Sequence, residues 1–244
     1  MVKFFKKTLV SSILFATLGC NATMITAKSW LVADSKGNIL EGVHTTEVRS
    51  IASISKLMTV MVILDSEQSL NEIIPVKLYG REHSRQTLID LAIVKSDNNA
   101  ARLLCEYYPG GFSACISAMN HKAMSLEMND TKFADPTGLT VMNVSTAENL
   151  VKLVMAASTY NKIVEASNKS TVSVTSKKHN IIFHNTNPTV GLREFVVSKT
   201  GFINRSGGCI VMMLNTINGI RTVVLLGSKN TKTRIPEANQ LARL

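Results

Sequence analysis

Only one serine in this chain is followed three places later by a lysine: Ser53, in Ser53-Ile54-Ser55-Lys56. On a helix, positions i and i+3 share a face, so the Ser53 hydroxyl lies within reach of the Lys56 amine. A serine hydroxyl is a poor nucleophile until a base takes its proton. Lysine serves as that base when burial and nearby positive charge favour its neutral form. A helix start adds backbone N–H groups and partial positive charge beside an attacked carbonyl. Alone, this spacing also describes a helix cap with a solvated lysine.

Two later tripeptides bear on the choice. Ser96-Asp97-Asn98 falls between two helical patterns, where a hydroxyl can relay a proton and an amide can hold a substrate amide. Lys199-Thr200-Gly201 follows the strand pattern of Phe195–Val197 and is expected to end that strand. A lysine and a threonine there suit a substrate carboxylate. A glycine lets an extended substrate lie close against the backbone. Read singly, the first is a capped turn and the second says little.

Several elements must position these groups. Trp30–Ala33 and Ile39–Val43 flank Asp34-Ser35-Lys36-Gly37-Asn38 as a hairpin. Ile54, Leu57, Met58, Met61 and Val62 have helical period and predict a largely buried helix. Thr87-Leu88-Ile89-Asp90 resembles a capping box opening a helix through Val94. Further helices are expected over Asn99–Tyr108, stopped by Pro109-Gly110-Gly111, and over Phe112–Leu126. Another, capped by Ser145-Thr146-Ala147-Glu148, reaches about Ala157. Strand patterns follow at Val172, Val174, Ile181–Phe183 and Phe195–Val197. Gly208–Thr216 and Arg221–Leu226 read as a hairpin through Asn218-Gly219, and Ile235–Leu244 as a helix opened by Pro236. The order predicts an α+β fold: an antiparallel sheet joining both ends of the chain, flanked by helices, with a mostly helical lobe over about 66–165. The chemistry would lie at the seam between sheet and lobe.

Composition excludes several classes. The chain has 244 residues, 45% apolar and 18% charged, which suits a globular domain and not a disordered tail or a disulfide-dense miniprotein. Lys3, Lys6 and Lys7 precede an apolar run from Leu9 to Gly19, the layout of a secretory signal peptide, with cleavage after Ala22 or Ala27. Residues 28–244 then form a single domain. Leu18 sits one place too near Cys20 for a lipoprotein signal, which argues against lipidation. No apolar run reaches membrane-spanning length, so any membrane association is peripheral. The formal net charge of +10 falls to +7 without the three leader lysines. A basic exported protein is drawn to anionic lipid or a carboxylate-rich wall. Nucleic acid is not expected as a partner, for lack of a zinc-finger spacing, a basic run or any such motif. His44, His83, His121, His179 and His184 show no metal-ligand spacing, and neither metal nor cofactor is called for. Cys105 and Cys115 can bridge in an oxidising compartment, or all of Cys105, Cys115 and Cys209 can be buried thiols.

The trio of motifs, in the order serine-lysine, serine-asparagine, lysine-threonine-glycine, resembles that of serine penicillin-recognising enzymes, the DD-peptidases and class A β-lactamases. The likeness extends through Ile51–Thr59, Tyr108-Pro109-Gly110-Gly111, Asp135-Pro136-Thr137-Gly138-Leu139, Asn143-Val144-Ser145-Thr146-Ala147, Asn185-Thr186-Asn187 and Lys199-Thr200-Gly201-Phe202. These are similar to the D-alanyl-D-alanine endopeptidase type, the penicillin-binding protein 7 type. That subfamily usually carries Ser-Glu-Asn where this chain has Ser96-Asp97-Asn98, a form common in the wider superfamily. The C-terminal β-domain and anchor of larger DD-carboxypeptidases are not expected.

The resemblance implies a periplasmic peptidoglycan hydrolase that cuts D-Ala–diaminopimelate cross-links, takes part in cell shape and binds β-lactams. Ser53 would attack the D-Ala carbonyl, and Lys56 would take its proton and later activate water. Ser96 would pass a proton to the leaving amine, and Asn98 would orient the acyl side. Lys199 and Thr200 would bind the substrate carboxylate, with Gly201 giving close approach and Lys199 keeping Lys56 neutral. The backbone N–H groups of Ser53 and Phe202 would hold the oxyanion. Three alternatives remain: a DD-carboxypeptidase sharing every one of these residues, a β-lactamase, and a non-catalytic wall-binding protein. For the β-lactamase, neither Glu127 nor Glu148 has a motif around it.

Overall fold

The computed structural model describes residues 24–176 and 179–244; most of the expected leader lies outside them. In chain order the elements are β1 (Ser29–Ala33), β2 (Ile39–Val43), β3 (Arg49–Ser50), α1 (Ser55–Asp65), β4 (Ile73–Leu78), β5 (Arg81–Ser84), α2 (Arg85–Asp90), α3 (Asn98–Glu106) and α4 (Gly111–Ser125). They continue as β6 (Val144–Ser145), α5 (Ala147–Ala157), α6 (Asn161–Ser167), β7 (Thr171–Thr175), β8 (Asn180–His184), β9 (Phe195–Ile203), β10 (Gly207–Thr216), β11 (Gly219–Ser228) and α7 (Arg234–Leu241).

Both ends of the chain meet in one five-stranded antiparallel sheet, ordered β2-β1-β11-β10-β9. Its strands alternate between two cores, as a sheet buried on both faces must. Leu31, Ala33, Val211, Val224 and Leu226 face the helices of the lobe. Trp30, Val32, Ile210, Val223 and Leu225 face α7, where Ala238 and Leu241 cover them. The α+β class with helices inserted between sheet strands therefore matches the expectation. The α1 helix is buried from Ser55 to Ile63, because α3, α4, α5 and α6 pack around it.

Several local expectations need correction. The cap of α2 is Ser84, whose hydroxyl accepts from the Thr87 N–H, so Thr87 lies inside the helix. That helix does not run straight to Val94: it widens into a π-helical turn over Leu91–Lys95 and stops at Ser96, whose φ of 60° is left-handed. Such π turns are frequent at functional sites. Thr146 caps α5, and Glu148 bonds to the Thr45 hydroxyl instead of reaching back to the helix start. Lys199-Thr200-Gly201 lies within β9, which continues to Ile203. The β10–β11 hairpin pairs Thr216 with Gly219, which centres its turn on Ile217-Asn218, one place earlier than expected. The last helix begins at Arg234, before Pro236, and ends at Leu241. The strands β7 and β8 form a separate two-stranded sheet, and the hairpin β4–β5 and the helix α6 have no counterpart in the sequence reading. A Cys105–Cys115 disulfide ties the end of α3 to α4, and Cys209 is a buried free thiol.

Candidate active site

Ser53 lies in the 3-10 turn Ala52–Ile54 that feeds α1. Lys56 follows one turn later, fully buried, and its Nζ donates to Ser53 Oγ at 2.8 Å. The same Nζ donates to Asn98 Oδ1 at 2.8 Å and to the Thr137 carbonyl at 2.6 Å. Three acceptors thus hold one amine beside one hydroxyl. Asn98 reaches it because it opens α3, whose cap, Asp97, accepts from the Ala100 N–H at 2.9 Å. Asp97 also receives the Tyr79 hydroxyl and Lys95 Nζ, and Lys95 sits over the rings of Tyr79 and Phe183. The break between the helices is therefore braced on both sides.

Ser96 and Lys199 form a second pair. Lys199 Nζ donates to Ser96 Oγ at 2.8 Å across the seam between lobe and sheet, 103 residues apart in sequence. Thr200 Oγ1 donates to Thr186 Oγ1 at 2.7 Å. At Gly201 the strand β9 presses on the backbone before Ser53: an added Cβ would lie 2.9 Å from the Ile51 carbonyl oxygen and 3.1 Å from the Ser53 nitrogen. Phe202, the next residue, is 42% exposed at the lip of this seam. Every expected site residue is thus accounted for: Ser53, Lys56 and Asn98 share one hydrogen-bonded cluster, Ser96 and Lys199 a second, and Thr200, Gly201 and Phe202 line the adjoining strand.

The electrostatics follow from burial. Lys56 is pushed down to about 7, chiefly by desolvation, while Asp135 and then Asp97 oppose the shift. Near neutral pH a large share of Lys56 is therefore uncharged and able to accept a proton. Lys199 is also held well below the ordinary lysine range, first by burial and then by the positive charges of Lys56 and Arg234.

Sequence reading assigned no role to four groups that shape this site. Asp135 gathers the loop after it, with Oδ1 accepting from the Thr137 hydroxyl and the Gly138 N–H and Oδ2 from the Thr140 N–H. That loop delivers the Thr137 carbonyl to Lys56. Buried Asn143 donates to Ser55 Oγ and to the Asp135 carbonyl, both at 2.8 Å, tying the same loop to α1. Thr186 bonds Thr200, and Arg234 donates to the Gly201 carbonyl at 2.7 Å from beneath the strand. The Asp-Pro-Thr-Gly turn chemistry signalled the first of these. No local signal pointed to Arg234.

Such an arrangement can deprotonate a hydroxyl with a neutral amine, hold an extended ligand along β9 and meet its carboxylate with a second cation. The profile of the D-alanyl-D-alanine carboxypeptidase family, peptidase S11, matches residues 17–78 and 68–230. The chain is 36% identical to a D-alanyl-D-alanine endopeptidase of Escherichia coli, over 93% of this chain and 79% of that one. It is 35% identical to one of Pseudomonas aeruginosa, over 88% and 76%. Among solved structures, penicillin-binding protein D2 of Listeria monocytogenes in its ampicillin-bound form superimposes with a TM-score of 0.79 at 26% identity, over 90% of this chain and 96% of that one.

Proposed function

The chain belongs to the D-alanyl-D-alanine carboxypeptidase family of serine peptidases, S11, and on that premise we propose that it is a periplasmic DD-endopeptidase working through a Ser53 acyl-enzyme. The observation that carries the reading is the 2.8 Å approach of Ser53 Oγ to a buried lysine amine whose pKa is lowered to about 7.

In this reading Lys56 takes the Ser53 proton as the hydroxyl attacks the carbonyl of a D-Ala residue. The backbone N–H groups of Ser53 and Phe202 receive the developing oxyanion, each such donor contributing about 3–4 kcal/mol where measured. Ser96 passes a proton to the departing amine, replenished through Lys199 2.8 Å away. Lys199 and Thr200 meet the carboxylate on the leaving side, and burial keeps Lys56 from holding its proton too firmly. Asn98, fixed by Lys56, orients the acyl side. The proton that Lys56 took from Ser53 makes good the one lost with the amine, so Lys56 is neutral again; it then draws a proton from the water that attacks the acyl carbonyl and returns it to Ser53 Oγ as the acyl group leaves. The substrate is cross-linked peptidoglycan, cut between D-Ala and diaminopimelate, and β-lactams acylate Ser53 because they present the same carbonyl and carboxylate.

A second reading, trimming of terminal D-Ala, is favoured by the description of the family that matches. It uses the same residues. The β-lactamase reading lacks a placed glutamate: Glu148 bonds Thr45 at 2.7 Å, and Glu127 lies 4.0 Å from Lys152. Fluorescent-penicillin labelling of the wild type and of Ser53→Ala tests the acyl-enzyme, which is wrong if the two label alike. Incubation with a cross-linked muropeptide dimer and with a linear pentapeptide then separates endopeptidase, which yields monomers, from carboxypeptidase, which releases free D-Ala.

A further inference from the structure

A cavity of about 420 Å³ opens beside Asn98, between α3 and the loop that carries Thr137. Asn98 and Thr137 line it and also hold Lys56, so it is continuous with the acyl side of the candidate site. Its walls are apolar: Phe112 from α4 and Leu139 from the loop are 38% and 59% exposed, large side chains left uncovered. Its one full charge that is not already enclosed in the loop's own hydrogen bonds is Arg102. Asp135, the other charged residue of the lining, spends its carboxylate on the loop itself.

Asn98 and Arg102 stand four residues apart on α3 and so share a face, about 6 Å apart along the axis. Arg102 donates through Nε to Glu106 at 2.7 Å, an i,i+4 pair on the exposed face of α3. Among the described residues its two terminal nitrogens have no protein partner. A ligand whose backbone amide is held at Asn98 would therefore run a short aliphatic chain between Phe112 and Leu139 and meet a guanidinium one turn on. The occupant that fits is a side chain of a few methylenes ending in a carboxylate.

Resting on the DD-peptidase reading, we propose that this cavity receives the side chain of the residue preceding the scissile D-Ala, and that Arg102 selects a chain ending in a carboxylate, as diaminopimelate does. A lysine at that place fills the apolar walls but brings an ammonium group without the carboxylate. The cavity thus recognises the acyl half of the cross-link, while Lys199 and Thr200 address the leaving half.

The test compares kcat/KM of the full-length protein on two peptides that differ only in diaminopimelate or lysine before the scissile D-Ala. A preference of about tenfold for diaminopimelate, carried mainly by KM, is expected, equivalent to one pairing of about 1.4 kcal/mol. In Arg102→Gln the ratio should fall close to one, and Arg102→Lys should keep part of it. No preference in the wild type, or the same preference in Arg102→Gln, overturns the inference. Acylation of the wild type by penicillin is scored in parallel. Its presence with an unchanged ratio sinks the cavity assignment alone, and its absence sinks the DD-peptidase reading and this inference with it.

Discussion

The carbonyl oxygen of Thr137 accepts from Lys56 Nζ at 2.6 Å, although 81 residues separate them. The general base of the candidate site is thus aimed by a backbone group on a loop, and that loop is held by the Asp135 carboxylate. Asp135 acts twice: it builds the loop, and its negative charge is the largest influence favouring protonated Lys56 against the burial that disfavours it.

A pH profile follows. Acylation by a β-lactam needs neutral Lys56, so its rate should rise with pH through a midpoint near 7 and level above it. Asp135→Asn removes the favouring charge, so the midpoint should move to lower pH. The stability sign is that of any group whose pKa falls on folding, a paired carboxylate included, but the window lies at higher pH. Folding lowers the Lys56 pKa from 10.5 to about 7, so the unfolded chain binds more protons between those values and stability rises with pH across that window. Lys199 contributes with the same sign. Urea unfolding at pH 7 and pH 9.5 should show a larger gain in wild type than in Lys56→Met; an equal gain would contradict the assignment.

Gly138 is the tightest point of the loop. Its φ is 79°, and an added Cβ would sit 1.9 Å from the Ala52 carbonyl oxygen, a backbone atom that cannot step aside. Gly138→Ala should destabilise the protein by about 2–4 kcal/mol and depress β-lactam acylation by displacing the turn that carries Ser53. Gly80, with φ 83° and nothing within 4 Å of its missing Cβ, is the control. Gly80→Ala should cost only the backbone strain of about 1 kcal/mol and leave acylation as it was. Thermal unfolding and labelling rates for the two variants decide the matter.

What the sequence made legible is the part written in residue type and spacing. Ser53 and Lys56 stand one helical turn apart, and Gly208–Thr216 and Arg221–Leu226 are apolar runs on either side of Asn218-Gly219, so both were readable locally. The trio as an ordered set was readable through the resemblance. The Thr137 contact was not, because a backbone carbonyl carries no residue signature. Arg234 reaches Gly201 from 33 residues away, and only the packing of α7 under the sheet brings it there. Ser96 was placed in a break between helices, but its left-handed φ arises from a π-helical turn that apolar periodicity cannot distinguish from an ordinary helix end. The β4–β5 hairpin escaped because Ile73–Leu78 contains Pro75 and alternates irregularly.

The Cys105–Cys115 bridge closes the link from α3, which carries Asn98, to α4, which carries Phe112. A loop this short should contribute about 2–3 kcal/mol by the chain-entropy account. Cys105→Ala with Cys115→Ala should lower the denaturant midpoint accordingly, with Ser53 still labelled by penicillin, since the catalytic side chains do not depend on the bridge for their contacts. A midpoint that does not move on substitution would show that the paired sulfurs add nothing to the fold.

The contacts of Thr26 favour one of the two cleavage sites expected for a leader. Its Oγ1 donates to Glu237 and accepts from the Lys229 N–H at 3.0 Å, and Lys28 N–H donates to the Leu226 carbonyl at 3.0 Å. Glu237 is fully buried, and its other carboxylate oxygen has no partner among the described residues. A cut after Ala27 would remove Thr26 and strip this carboxylate of its remaining hydroxyl donor, at a cost of about 1–3 kcal/mol. We therefore expect the exported protein to begin at Thr23, after Ala22. Intact-mass measurement on protein from the periplasm reads this directly. Thr26→Val in that protein should lower the thermal midpoint, whereas a mature chain beginning at Lys28 would show that the fold does without the contact.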